Sequence, residues 1–494
     1  MRLAAVFVGC ALAVAPDAYA QTPPAAEPAY DSAGWIADWE QVRQAMSSHY
    51  ANLEWAVIER EAPLGALFEM GAQRLTAARS EAEAREVFER FERYLGDGHV
   101  DFVWSRAGAS ATSPGLAQAD RPSPCEQLGF RGDSRDSGAV ATRLPGYRPL
   151  DDASGFPAGV VEVDGQIVGV IRIALFSPQA HPAACAAALA ELTPAGEPCD
   201  EACSERLWGL AADRVTADFS DRLRALKAAG ATTLLVDIAG NGGGTEWVEA
   251  VARIVTPVPL RSARVGFVRH PHWVRAFAEG ERRMRQAAVG LTAQDRTRLE
   301  GYAGAYAAAR AQAEQPCDPA PLFEGRRPDC DWLGSGELYS TGPMAVLDPA
   351  IIGQPWAAQV FTPLAFAFEP GVWSGPLVVL VDGATASASE EFAAVLQDNG
   401  AAVILGAPTA GAGCGHTRGG IDVVLRHSGA RLRLPDCARF RADGTNEVSG
   451  IDPDVLIGFR DNDGPARRVK RLAAALPAAI GLARQAADRH RRPV

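Results

Sequence analysis

Ser387 is a candidate nucleophile because of its position in the chain. It lies in VDGATASASEEFAAVLQDNG, residues 381–400, between an apolar strand and an amphipathic helix. The S-x-x-E spacing from Ser387 to Glu390 fits a capping box at the start of that helix. A serine that follows a parallel strand and opens a helix is equally where α/β enzymes place nucleophiles. The next N–H, that of Ala388, would then point at the developing oxyanion. These residues alone leave both roles open.

A run of glycines forms a second candidate site in DIAGNGGG, residues 237–244. Consecutive glycines let the backbone approach a ligand closely, and N–H groups at a helix N-terminus can hold a phosphate or an oxyanion. No lysine follows, so the segment does not match the nucleotide-binding P-loop pattern. A plain strand-to-helix turn is the structural alternative, and the glycines alone do not decide between the two.

Three segments together resemble the C-terminal-processing (tail-specific) serine peptidases and their relative, the tricorn core peptidase. They are LLVDIAGNGGG, LVVLVDGATASASEEFAAVLQDNGAAVILGAPTAGAG and EVSGIDPDV, and DGH at 97–99 and GVIRIALF fit the same pattern. The resemblance implies a crotonase-like twisted α/β core. It also implies that Ser387 is the nucleophile and that Ala388 with Gly242 or Gly243 forms the oxyanion hole. On this basis Ser387 both begins the helix and attacks the substrate.

The sequence departs from that family at its general base. Processing peptidases place a lysine in FGKG, whereas the matching stretch here is AGAG, with Ala412 at the lysine position. The chain has only two lysines. Lys227 precedes the strand TTLLVDI, at the opposite end from the glycine turn, and Lys470 lies in a basic C-terminal segment. A Ser/Lys mechanism is therefore not expected.

Histidine is the expected replacement because its pKa lies near working pH. The resemblance to the tricorn-like branch, which uses Ser, His and Glu, implies His99 of DGH as the base and Glu447 as the acid that orients it. His416 in GCGHT is the rival base, and Asp452 or Asp454 could replace Glu447.

Composition excludes several other classes of function. The formal net charge of −12 argues against nucleic acid or an anionic membrane as a partner. The histidines show no metal-protease spacing, and no G-x-S-x-G motif is present, so we expect no metal, no cofactor and no ordinary α/β-hydrolase.

The N-terminus and the cysteines indicate export. One arginine, an apolar run and AYA before Gln21 predict a signal peptide cleaved after Ala20, and no later stretch is long and apolar enough to span a membrane. Removal of Cys10 leaves eight cysteines, an even number that favours disulfides, with Cys317–Cys330 and Cys414–Cys437 the pairs nearest in sequence. The alternative, a zinc site at CDEAC, lacks the usual ligand spacing. We expect a periplasmic or secreted protein.

Periodicity and composition divide the chain into successive segments. Residues 21–102 read as an N-terminal helical region and 103–157 as a loop-rich linker, too short for the PDZ domain of related peptidases. Strand–turn–helix patterns place the protease core at 158–260 and 376–460. Between these parts we expect a long insertion at 261–375, made of Arg-rich helix and loops and carrying a disulfide, and after them a basic helix at 461–494. The sequence assigns no function to the insertion.

The predicted function is an exported serine peptidase that cuts peptides or unfolded proteins through an acyl-enzyme. A catalytically inactive binding protein on the same fold is one alternative, since the family includes retinoid-binding relatives. An esterase-like serine hydrolase is another. Loss of the serine or the histidine would favour the binding protein, and this chain keeps both.

Overall fold

The structure is a computed structural model that describes residues 30–104, 122–131, 139–150, 155–193, 199–460 and 462–491. The predicted signal peptide, residues 1–20, lies outside these described residues. Within them, no helix combines the length and the apolar character that crossing a membrane requires.

Helices and strands alternate along most of the described chain. The helices are α1 (Ser32–His49), α2 (Leu64–Ala77), α3 (Glu81–Leu95), α4 (Pro124–Gln127), α5 (Pro182–Leu192), α6 (Glu201–Ala228), α7 (Trp247–Ile254), α8 (Pro271–Ala287), α9 (Ala293–Ala313), α10 (Ala320–Phe323), α11 (Ala357–Val360), α12 (Ala388–Asp398) and α13 (Pro465–Arg491). The strands are β1 (Asp101–Val103), β2 (Arg148–Pro149), β3 (Ala158–Val163), β4 (Gln166–Arg172), β5 (Thr233–Asp237), β6 (Arg264–Val268), β7 (Leu333–Tyr339), β8 (Leu377–Val381), β9 (Val403–Gly406), β10 (Val423–Val424), β11 (Arg431–Arg433), β12 (Cys437–Phe440) and β13 (Val455–Leu456).

A seven-stranded sheet in the order β13-β9-β8-β5-β4-β3-β2 forms the centre of the molecule. The strands from β13 to β4 are parallel, and β3 and β2 add an antiparallel edge. Every residue of β5 and β8 is buried, which explains why both strands read as continuous apolar runs in the sequence. The predicted α/β core is confirmed.

Helices cover both faces of this sheet. On β5, Leu234 and Val236 point into a core shared with α6, α7 and α12, whereas Leu235 points into a core shared with α13. Such alternation is expected for a strand buried on both faces. The parallel arrangement brings the carboxyl ends of β5 and β8 to one edge, where the glycine run and Ser387 follow them.

The N-terminal helices pack around a second core and deliver His99. Their buried aromatic residues join leucines of the sheet β1-β11-β10 in one cluster. Gly96, with φ of 62°, ends α3 in the left-handed conformation predicted for a helix stop. The chain then passes through Asp97 and His99 into β1, which pairs with β11. His99 is therefore held between a helix end and a strand.

The insertion differs from its prediction as helix and loops. It contains α8 and α9, but also β6 and β7, which form a three-stranded antiparallel sheet with β12 of the core. The strands were not predicted because both are short and contain glycine, and because β6 pairs with β12, which lies far away in the sequence. A Cβ at Gly334 would lie 2.3 Å from the Phe267 ring, so packing requires glycine at this position. In the sequence alone, such a glycine favours a loop.

Four disulfides link the eight cysteines that the structure describes. The bridges Cys317–Cys330 and Cys414–Cys437 are the two pairs that sequence proximity favoured. Cys125–Cys185 and Cys199–Cys203 are the other two, so CDEAC carries a disulfide in place of the alternative zinc site.

Candidate active site

Ser387 lies in the turn between β8 and α12, in a conformation that few residues adopt. Its φ is 56° and its ψ is −120°. Positive φ is uncommon for a non-glycine residue, and sparsely populated conformations, which cost about 1–3 kcal/mol each, cluster at functional sites. The backbone here is held by Asp382, whose carboxylate accepts from Gly240 N–H at 2.8 Å and from Ala384 N–H at 3.1 Å.

Ser387 is the N-cap residue of α12, and its backbone contacts Glu390 in both directions. Glu390 N–H donates to the Ser387 carbonyl at 2.9 Å, and the Glu390 carboxylate accepts from Ser387 N–H at 2.8 Å. That same carboxylate accepts from Thr409, Gly411 and Ala412 at 2.6–2.8 Å, so it ties the serine turn to the loop that follows β9. Its burial raises the pKa of Glu390. The hydroxyl remains available to another partner.

That partner is His99. Its Nε2 lies 3.1 Å from Ser387 Oγ, and its Nδ1 lies 2.6 Å from the Ala412 carbonyl oxygen. A carbonyl only accepts, so Nδ1 carries the hydrogen and Nε2 presents its lone pair to the serine. Burial lowers the pKa of His99, which favours this neutral form. The geometry is that of a nucleophile next to a base.

Asp97 fixes the backbone that carries His99. It is buried, and its carboxylate accepts from His99 N–H at 3.0 Å, from Asn52 at 2.8 Å and from the Tyr50 hydroxyl at 3.0 Å. Burial raises the pKa of Asp97 to about 6. Sequence reasoning noted Asp97 only as part of DGH and did not assign it this role.

Glu447 does not contact His99, contrary to the orientation role that the resemblance implied. Both of its carboxylate oxygens accept from the guanidinium of Arg439, at 2.6 and 2.9 Å. Arg439 also donates to the Ser387 carbonyl at 3.3 Å and to the Gly413 carbonyl at 2.9 Å, and it lies 3.1 Å from Glu391. Glu447 thus reaches the serine turn through Arg439, a residue that no sequence motif indicated.

The three candidate oxyanion residues differ in what their N–H groups do. Gly243 N–H donates to the Asn241 side chain at 2.9 Å and is therefore engaged. Within the described ranges, neither Gly242 N–H nor Ala388 N–H has a protein acceptor. At Gly243, with φ of 117°, a Cβ would lie 2.8 Å from Ser387 Cβ, so the glycine allows the serine to approach.

The alternative bases and acids have other partners, and His416 lies next to His99. Lys227 donates to the Val372 carbonyl and lies over the Trp373 ring, and Lys470 belongs to α13. His416 meets His99 edge to face, with ring centroids 5.4 Å apart, and its Nδ1 lies 3.1 Å from Arg433. Burial lowers the pKa of His416 to about 4. Asp452 and Asp454 contact the Gln397 side chain at 3.0 Å.

Comparison with known proteins identifies the family of this chain. The family model for peptidase family S41 matches residues 168–457, which is more than half of the chain. The chain belongs to peptidase family S41. It is accordingly a serine-type peptidase, and the resemblance seen in the sequence is confirmed.

Solved structures share the fold of this S41 peptidase. The crystal structure of mature CPAF has a TM-score of 0.58 and 16% identity, covering 94% of this chain and 99% of that one. Mature CPAF complexed with lactacystin has a TM-score of 0.56 and 16% identity, covering 93% and 99%. At such identities the likeness concerns the fold alone.

Proposed function

We propose that this S41 peptidase is exported and hydrolyses peptide bonds through an acyl-enzyme, with Ser387 as nucleophile and His99 as general base. The observation that carries the proposal is the 3.1 Å contact between His99 Nε2 and Ser387 Oγ, with His99 Nδ1 held on a backbone carbonyl.

The proposed reaction follows from these contacts. Ser387 Oγ attacks the peptide carbonyl carbon while its proton passes to His99 Nε2. The N–H groups of Ala388 and Gly242 stabilise the oxyanion. His99 then protonates the leaving amine as the C–N bond breaks. A water then gives a proton to His99 Nε2 as it attacks the ester carbon. His99 returns that proton to Ser387 Oγ as the ester C–O bond breaks and the carboxylic acid is released.

The Ala412 carbonyl supports the tautomer that this mechanism needs. It takes the place next to Nδ1 that a carboxylate occupies in a Ser-His-Asp triad. A neutral carbonyl stabilises an imidazolium less than a carboxylate does. Glu447 contributes in this proposal by neutralising Arg439, which in turn holds the carbonyls of Ser387 and Gly413.

Export is supported by the cysteines. Disulfides persist mainly in oxidising compartments, and the structure pairs all eight cysteines that it describes. Together with the predicted signal peptide, this favours a periplasmic or secreted peptidase.

The test compares Ser387→Ala, His99→Ala and the double variant with wild type in peptide hydrolysis and fluorophosphonate labelling. Each single variant should lose at least about a thousandfold in kcat/KM, and the double variant little more, because the two residues act as one unit. Lys227→Ala is the matched control and should retain activity, since Lys227 donates to the Val372 carbonyl and lies over the Trp373 ring, away from Ser387 and His99.

Other outcomes would favour the alternatives. A folded, fully active Ser387→Ala protein would end the proposal for this serine. Wild type that neither labels nor hydrolyses peptides would point to a binding protein. Fluorophosphonate labelling together with hydrolysis of esters but not of peptides would indicate the esterase.

A further inference from the structure

A cavity of about 700 Å³ adjoins both Ser387 and His99. Part of its lining comes from the insertion 261–375, to which the sequence assigned no function. These side chains are Val265, Trp273, Ala276, Tyr306 and Leu338. We refer to the five as the apolar wall. Because they share one cavity with the nucleophile, a substrate bound at Ser387 meets them.

Aromatic contacts and one hydrogen bond support the apolar wall. Trp273 and Phe277 have ring centroids 5.0 Å apart, and Phe277 meets Phe267 at 4.6 Å. The indole N–H of Trp273 donates to the Asp436 carbonyl at 2.8 Å. Cys414, in the loop whose Ala412 carbonyl holds His99, packs against the same cluster. The apolar wall therefore packs against the loop whose Ala412 carbonyl contacts the base.

The buried charges that line the cavity are already paired. Glu249 forms an ion pair with Arg253 and accepts from the Ser340 hydroxyl at 2.6 Å. Glu391 lies 3.1 Å from Arg439. The exposed charged groups of the lining are Glu246, Arg418 and Arg433, and Arg433 lies 3.5 Å from Asp101. Among the described residues, nothing in this cavity offers an unpaired buried charge for a charged side chain.

We infer that the apolar wall is a specificity subsite, which takes a bulky apolar side chain of the peptide flanking the scissile bond. Phenylalanine and leucine are the chemical types that fit, because ligand pockets of this size gain affinity from apolar and aromatic contacts. The inference rests on the proposed roles of Ser387 and His99. It gives the insertion a function, namely the selection of substrate side chains.

Ala276 offers a direct test because its small side chain lines the cavity. Ala276→Phe should fill the subsite. Ala278→Phe is the matched control, since Ala278 lies on the same helix, is partly exposed and is not part of the cavity lining. Both proteins and wild type are assayed on peptides that differ at one position within two residues of the scissile bond, carrying Phe, Leu, Ala or Lys.

For wild type, kcat/KM should be at least about 20-fold higher with Phe or Leu than with Ala at the selected position, within the range that apolar pockets achieve. Ala276→Phe should reduce hydrolysis of the Phe peptide at least about tenfold and leave the Ala peptide within about threefold. Ala278→Phe should keep the wild-type ratio. If Ala276→Phe fails to fold, Tyr306→Ala provides the second variant and should lower the preference for Phe over Ala.

The failure of this inference is distinct from the failure of the proposed function. A wild type that labels at Ser387 but prefers Lys or Ala peptides would overturn the subsite and leave the nucleophile in place. An unchanged Phe-to-Ala ratio in folded Ala276→Phe would do the same. A wild type with neither labelling nor hydrolysis would overturn both.

Discussion

At the scale of single residues, the candidate site depends on which groups the side chains and backbone of the serine turn contact. Ser387 begins α12 through its backbone contacts with Glu390, while its hydroxyl lies next to His99. The lysine of related peptidases is absent, yet Ala412 at that position still contributes its carbonyl to His99. A comparison of residue types at this position shows only the loss of the lysine, because residue identity does not reveal what a backbone carbonyl contacts.

His99 should set the acid limb of the pH profile. Burial is the main cause that lowers its pKa, with Arg439 and Arg433 acting in the same direction and the Ala412 contact opposing them. An imidazolium cannot accept the Ser387 proton, so kcat/KM should fall as pH drops through a pKa below about 6.5. His416→Gln is the control and should shift the midpoint by less than about one pH unit. A midpoint above that of free histidine, or loss of the limb in His416→Gln, would contradict this assignment.

Glu447→Gln should reduce activity less than His99→Ala does. The glutamine keeps an oxygen for Arg439 but loses its charge, whereas Glu391 still faces the guanidinium. We expect a fall in kcat of about 10- to 100-fold, typical for a residue that supports the catalytic groups indirectly. Arg439→Met should in addition lower the stability by about 3–5 kcal/mol, because it leaves the buried carboxylates without their cation. If folded Glu447→Gln were as inactive as His99→Ala at unchanged melting temperature, Glu447 would have to act on His99 directly.

At the scale of elements, the sequence predicted the parts whose pattern is local. The pairs β5–α7 and β8–α12 were visible because buried parallel strands are continuous apolar runs followed by glycine or hydroxyl turns. The strands β6 and β7 were missed because their partners are distant in sequence: β6 pairs with β12, where Phe267 lies opposite Cys437, and with β7, where Phe267 lies opposite Gly334. Arg439, on β12, was missed for the same reason: its partners are brought together only by the fold.

The disulfide Cys414–Cys437 should matter for activity more than the other bridges. It joins β12 to the loop whose Ala412 carbonyl holds His99 and whose Gly413 carbonyl is held by Arg439. Cys414→Ala with Cys437→Ala should lower stability by about 3 kcal/mol, as expected for a loop of this length. It should also reduce kcat, because His99 loses part of its support.

The matched control removes Cys199–Cys203, which spans only four residues at the start of α6. That variant should keep its turnover. Melting temperature and peptide hydrolysis, measured on the same preparations, separate the two effects. Full turnover in the Cys414/Cys437 variant, despite a lower melting temperature, would show that Glu390 and Arg439 hold the loop without the crosslink.

At the scale of the whole molecule, the site combines three regions of the chain. The N-terminal helices deliver His99, the central sheet delivers Ser387, and the insertion lines the cavity beside them. The N-terminal core also contains Val448, Leu432 and Leu434. The N-terminal helices and the C-terminal part of the core therefore share one apolar cluster. Catalytic geometry should therefore depend on the folding of the whole chain and not of the sheet alone.

A count of thiols tests both the crosslinks and the proposed export. The sequence contains nine cysteines, and the structure pairs the eight that follow Cys10 into four disulfides. Protein secreted by its native route, denatured without reductant and alkylated, should therefore show at most one free thiol by intact mass. After reduction, eight alkylations should appear if the signal peptide is removed, and nine if Cys10 is retained. Four or more free thiols before reduction would refute the disulfide framework, whereas nine alkylations after reduction would refute cleavage at Ala20 and leave the crosslinks standing.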